Sequence, residues 1–250
     1  SIIDSSNDDI TFGAITLATN TQIDTNATDT TGDIIIGAVT GGNNILTLDT
    51  TTTTGSADIT FNGDINLGIQ LDVTGDVVLG ANVTITATAN NGTGIIIRNA
   101  INADNASNND RTLTLNSGTG ANMFVIGNIG NSQALAGLTV TQSNGASFSG
   151  TVDVSDTNSG TITLTDTENN SNIVFNNNVT ADNFVTAAQG YDIFLLGNTT
   201  IANAVTFQNT GTLDLGNATS DTFTFNGGVT ENTGGTVTIA GPIVSSNDAI

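Results

Sequence analysis

The chain contains no cysteine, no histidine, no tryptophan and no lysine, and its single proline is Pro242. Without cysteine there is no disulfide framework, no thiol nucleophile and no thiolate metal site. Without histidine, imidazole-ligated metal centres and Ser-His-Asp triads are excluded as well. Arg98 and Arg111 are the only cationic side chains against 23 acidic ones, which leaves a net charge of −21. Nucleic acid and anionic lipid both demand a cationic footprint, so neither is expected as a partner. No apolar run reaches the roughly 18 residues of a membrane-spanning helix, so no membrane insertion is expected in this segment. No basic, apolar leader is visible at Ser1, and the first residue is not Met. The expectation is a mature piece, residues 1–250 forming one segment from the interior of a longer chain.

Helix formers are scarce too: lysine is absent, Glu168 and Glu231 are the only glutamates, and there is one methionine. What fills the chain instead is threonine, asparagine and glycine. Threonine suits a pleated surface, while asparagine and glycine suit tight turns. With 37% hydrophobic residues but only 4% aromatics, a core must be aliphatic with some phenylalanine.

The hydrophobic residues are arranged as one phrase, repeated. Asp58-Ile-Thr-Phe61-Asn-Gly63-Asp-Ile65 is a short alternating strand, a small-residue corner and a second strand; Asp76-Val-Val-Leu79-Gly80-Ala-Asn-Val83 repeats it 18 residues later. Period-two alternation marks a strand with one buried face, and the Asn-Gly and Gly-Ala pairs mark a change of direction. Variants begin at Asp9, Asp33, Gly94, Met123, Ile173, Asp192, Thr222 and Thr236. The last apolar residue before each corner gives a ladder: Phe12, Ile36, Phe61, Leu79, Ile97, Ile126, Phe148, Phe175, Leu196, Phe225 and Ile239. Its mean step is roughly 23 residues, enough for three short strands and three corners, which is one coil of a solenoid. Leucine-rich repeats lack their consensus here, helical repeats fail on composition, and propeller blades need about 40 residues. The expected fold is all-β: a right-handed parallel β-helix of about 10–11 coils without significant helix, right-handed because parallel crossovers almost always are. The ladder residues are expected to stack in one inward column.

ADITFNGDINL, SQALAGLTVTQSNGASFSGTVDV and FTFNGGVTENTGGTVTIAGPI resemble the repeats of filamentous-haemagglutinin-like secreted bacterial adhesins and autotransporter passenger domains. The resemblance spans essentially the whole chain and is specific to architecture. It implies a right-handed β-helix, secretion, a place at the bacterial cell surface, and no catalytic residues.

Candidate chemistry is sparse, and no enzyme is expected. Glycoside hydrolysis needs two carboxylates across a cleft; Asp8-Asp9, Asp153/Asp156 and Asp166/Glu168 are the near pairs, a frequency that 23 acidic residues produce by chance. Arg98 and Arg111 would be the only basic groups for a polysaccharide lyase. Calcium, which wants several oxygen ligands, is the one cofactor weighed, with Asp156, Asn158, Asp166 and Glu168 as weak metal candidates at alternating positions. The Asp that opens the phrase at 9, 33, 58, 76 and 192 reads as a turn residue. Thr-x-Thr pairs such as Thr84/Thr86 and Thr161/Thr163 raise ice binding, but their uneven spacing argues against a regular grid.

The functional expectation is a shaft segment of a giant extracellular adhesin or surface filament. Its partners would be other surface proteins, glycans or copies of itself, met at loops 102–111 and 166–172. A calcium-assisted surface-layer or biofilm-matrix protein and a polysaccharide-active β-helix enzyme are the alternatives.

Overall fold

The computed structural model describes residues 1–5, 7–25, 32–51, 57–104, 111–155, 159–166, 168–232, 234–246 and 248–250. Among them there is no helix, and every strand pairing is parallel. One winding shows the plan. Gln70–Thr74 lies on a first face, Asp76–Leu79 on a second and Val83–Ala87 on a third, before Gly92–Ile97 returns to the first, one level along. The first face is an 11-stranded sheet and the third a 10-stranded sheet, whereas the second is two sheets of five strands. Isolated bridges from Ile129 to Ile101 and to Val152 join those two, so the second face continues through the break. This is a β-solenoid with roughly 24 residues per turn, and about nine coils enclose a buried interior.

Alternation decides which side chains enter. Strands such as Gln70–Thr74 and Val83–Ala87 bury every second residue. The interior is one continuous apolar cluster running from Ile10 to Phe225. The two phrases that carry the repeat most clearly are direct neighbours, with Asp58, Ile59, Thr60 and Phe61 opposite Asp76, Val77, Val78 and Leu79. Toward the C-terminal end the core becomes aromatic. Phe148 stacks on Phe175 at 4.8 Å, and contacts continue from Phe175 through Phe184 and Phe207 to Phe225.

The single inward column needs correction, because the ladder splices pieces of three faces. Phe12, Ile36, Phe61 and Leu79 do share a column on the second face, but the next member there is Ala103, not Ile97. Ile97 follows Val73 on the first face, in the column that continues through Val125 to Phe148 and Phe175. Phe225 belongs to the second face, opposite Ile201. Ile126 is 45% exposed and Leu196 is half-buried, because each lies one residue past the inward Val125 and Leu195. Phe12 and Ile239 are 37% and 52% exposed since they belong to windings at the ends, with nothing stacked beyond them.

The corner into the second face solves a hydrogen-bonding problem. Where the chain turns, the ladder would leave amide N–H groups without acceptors, and such groups are costly to bury unpaired. An Asx side chain on the preceding winding accepts them. Asp9 Oδ1 takes the Asp33 amide at 3.0 Å, Asp33 Oδ1 the Asp58 amide at 2.9 Å, and Asp76 Oδ1 the Ala100 amide at 3.0 Å. Further along, Asn128, Asn178 and Asn198 do the same for the amides of Thr151, Asn198 and Thr222. At positions 9, 33 and 76 the aspartate that opens the phrase is therefore more than a turn residue, since it bonds one winding to the next. Just before this position the backbones come so close that only glycine fits at several levels. A Cβ on Gly127, Gly150 or Gly197 would run into the main chain of Asn99, Gly127 or Asn177.

Candidate functional site

Both arginines bind aspartates. Arg98 Nη2 reaches Asp72 Oδ2 at 2.8 Å from the next winding. Arg111 is bidentate on Asp104, with Nε to Oδ1 at 3.0 Å and Nη2 to Oδ2 at 2.8 Å, which clamps the two ends of residues 105–110 together.

Of the four metal candidates, Asp156 and Asn158 lie outside the described residues. Asp166 is fully buried at a corner, where Oδ2 accepts the hydroxyls of Ser143 and Ser171 and Oδ1 accepts the Glu168 amide. Glu168 itself is half-buried. Among the described residues no three carboxylates converge on one point.

Of the two expected contact loops, residues 105–110 and 167 lie outside the described residues, and the described ends of both are tied into the fold. Ile101–Ala103 is a strand, Ala103 points inward, and Asn102 Oδ1 accepts the amides of Ser132 and Gln133. In the second, Asp166 and Ser171 are core residues, and Asn172 opens the strand Asn172–Phe175. Polarity misled here because corners of a solenoid bury polar groups that bond to the main chain. The threonines differ from expectation in the opposite sense. Thr84, Thr114, Thr139 and Thr163 are unevenly spaced in sequence yet align in register as one column on the third face. The corners absorb the unequal lengths. The column ends there, because Val185 follows Thr163.

Burial raises the pKa of two carboxyls and one phenol among the described residues. The Asp58 carboxyl is pushed above its ordinary value by burial and by Asp33 and Asp76 on either side. Asp214 is raised by burial, and its Oδ1 has no hydrogen-bond partner. The Tyr191 phenol is held up at about 12 by burial; its oxygen donates to Leu164 O at 2.8 Å and accepts the Ala187 amide at 2.9 Å.

A concavity lies on the outer side of the first face. There an outward row runs Ile96, Phe124, Ser147, Val174, Phe194, one residue per winding. Ser147 is a notch in an otherwise apolar row. Its neighbour Gly145 stands opposite Asn122 and contributes no side chain. The result is a transverse cleft of about 310 Å³, floored by Gly145 and Ser147 and walled by Phe124 on one side and Val174 on the other. Asn122, Asn144, Asn170 and Asn172 form its rim, and Asn144 donates to Asn122 Oδ1 at 3.3 Å. No lining residue is charged. Sequence reasoning passed over this cleft; its one visible signal is Gly145-Ala-Ser147, two small residues at outward positions of a strand.

No family model matches this chain, and neither a curated protein nor a solved structure matches it. The class is therefore set by geometry alone: a β-solenoid repeat protein.

Proposed function

We propose that this chain is a segment of the shaft of a large extracellular bacterial adhesin or cell-surface filament. One observation carries the reading: stacked parallel windings whose polar side chains bond one winding to the next, as Arg98 does with Asp72 and Asp76 with the Ala100 amide. Eleven strands stacked on the first face, at roughly 4.8 Å each, make a rod about 50 Å long. Such an element can hold a binding tip away from a surface or present its flanks to other cells or matrix. The resemblance of the repeats to haemagglutinin-like adhesins supports the same placement. Among the described residues no helix is long and apolar enough to cross a membrane. Antibodies against the folded chain should label intact cells that make it, and loss of the protein should weaken their attachment. Labelling only after permeabilisation would overturn the reading.

A calcium-assisted surface coat is the second reading, favoured by the stacked carboxylates of Asp33, Asp58 and Asp76, whose mutual repulsion a cation would relieve. Unchanged melting and assembly in excess chelator would remove it.

A further inference from the structure

The cleft on the first face combines an aromatic wall with an amide rim. The chain carries a net charge of −21, yet every residue lining this cleft is uncharged. A polyanion would be repelled by the surrounding field, and a cation would find no carboxylate in the lining to hold it. What the lining offers is an aromatic ring beside a ring of amides. Phe124 is 37% exposed, unusual for a phenylalanine at mid-strand, and it borders the notch made by Ser147. Asn122, Asn144, Asn170 and Asn172 supply donors and acceptors together at the rim.

We propose that this cleft binds a neutral saccharide. A pyranose ring has an apolar C–H face and an equatorial belt of hydroxyls. The first matches Phe124 and Val174, and the second matches the carboxamides, each of which can donate and accept. Gly145 is the permissive element. A Cβ at this position would come to 3.0 Å from Asn122 Oδ1, and any longer side chain would fill the floor. The inference deepens the adhesive reading by giving the shaft's flank a ligand class and a site. It fails on sugar binding, whereas the shaft reading fails on cell location, so the two failures are distinguishable.

The test is calorimetric titration of the whole chain with neutral glucose-, galactose- and mannose-based trisaccharides, and with a glucuronate-terminated trisaccharide. At least one neutral sugar should bind, with the acidic sugar weaker by about tenfold or more. Phe124→Ala should weaken binding by about tenfold, and Gly145→Gln should abolish it. Both substitutions point outward, so an unchanged melting curve and circular dichroism spectrum will show that the fold is kept. Ile126→Ala, exposed but outside the lining, should bind as the parent does. If Gly145→Gln unfolds the chain, Ser147→Gln fills the same floor from the next outward position. Failure of every neutral trisaccharide to bind overturns the proposal. Equal binding by the acidic sugar, or undiminished binding by the floor-filling variant, overturns it equally.

Discussion

The corner leading into the second face is built from aspartates in the N-terminal half and from asparagines in the C-terminal half. Asp9, Asp33 and Asp76 accept amides in one half; Asn128, Asn178 and Asn198 accept them in the other at matching lengths of 2.8–3.1 Å. The amide oxygen alone satisfies the geometry, so the negative charge is not needed for the bond. Charge makes the acceptor stronger, but stacking places like charges on successive windings, and Asp58 shows the cost. The interior differs between the halves as well. Isoleucine, leucine and valine, with Phe61 among them, fill the first, as at Ile36, Leu48, Val73 and Ile97, while the second holds the connected rings of Phe148, Phe175, Phe184, Phe207 and Phe225. Two solutions for the core and two for the corner therefore share one backbone plan.

The contrast in the core gives the largest expected effect. Phe175→Ala removes a ring in contact with both Phe148 and Phe184 and should cost about 3–5 kcal/mol in denaturant unfolding. Phe12→Ala, at the exposed end winding, should cost less than about 1 kcal/mol. Equal losses would show that the aromatic half has no tighter core. Next comes Tyr191→Phe, which removes the hydroxyl's bonds to the Leu164 carbonyl and the Ala187 amide, groups that still bond each other at 3.0 Å, and should cost about 1–1.5 kcal/mol. The corner bonds follow. Asp76→Ala and Asn198→Ala should each lose about 1 kcal/mol, whereas Asp76→Asn should keep the bond and most of the stability.

The smallest effect is the one that separates the halves by charge. Because the folded state raises the carboxyl pKa of Asp58, folding takes up a proton between its ordinary 3.8 and the raised value. Its contribution is therefore most favourable below 3.8 and is lost as pH rises through the folded pKa. Asp58→Asn should raise the melting temperature at neutral pH, and the gain should shrink on acidification. Added sodium chloride should produce part of the same gain in the parent and less of it in the variant. A gain that persists below pH 3.8 would place the cause elsewhere.

The winding plan was legible in the sequence because alternation and corner residues recur together, as at Asp58–Phe61 and Asp76–Leu79. The assignment of residues to faces was less so. Strands on the first and second faces both place an inward apolar residue shortly before a corner, as Val73 and Leu79 do, so nothing local distinguishes them. The ladder slipped after Leu79, where the true partner is Ala103, too small to stand out. The burial of Asp166 was hidden for a related reason: its hydroxyl partner Ser143 lies 23 residues away, on another winding. The cleft at Gly145 and Ser147 is a property of what three successive windings omit, which no single stretch displays.

One mechanical consequence follows from the direction of the bonds between windings. They run along the rod, so a pull between its two ends strains them directly and not in shear. Each winding that lets go frees roughly 24 residues, or about 80 Å of extended chain. A short stiff element thus carries a long reserve of slack, released in steps, with which it could ride out a sudden load.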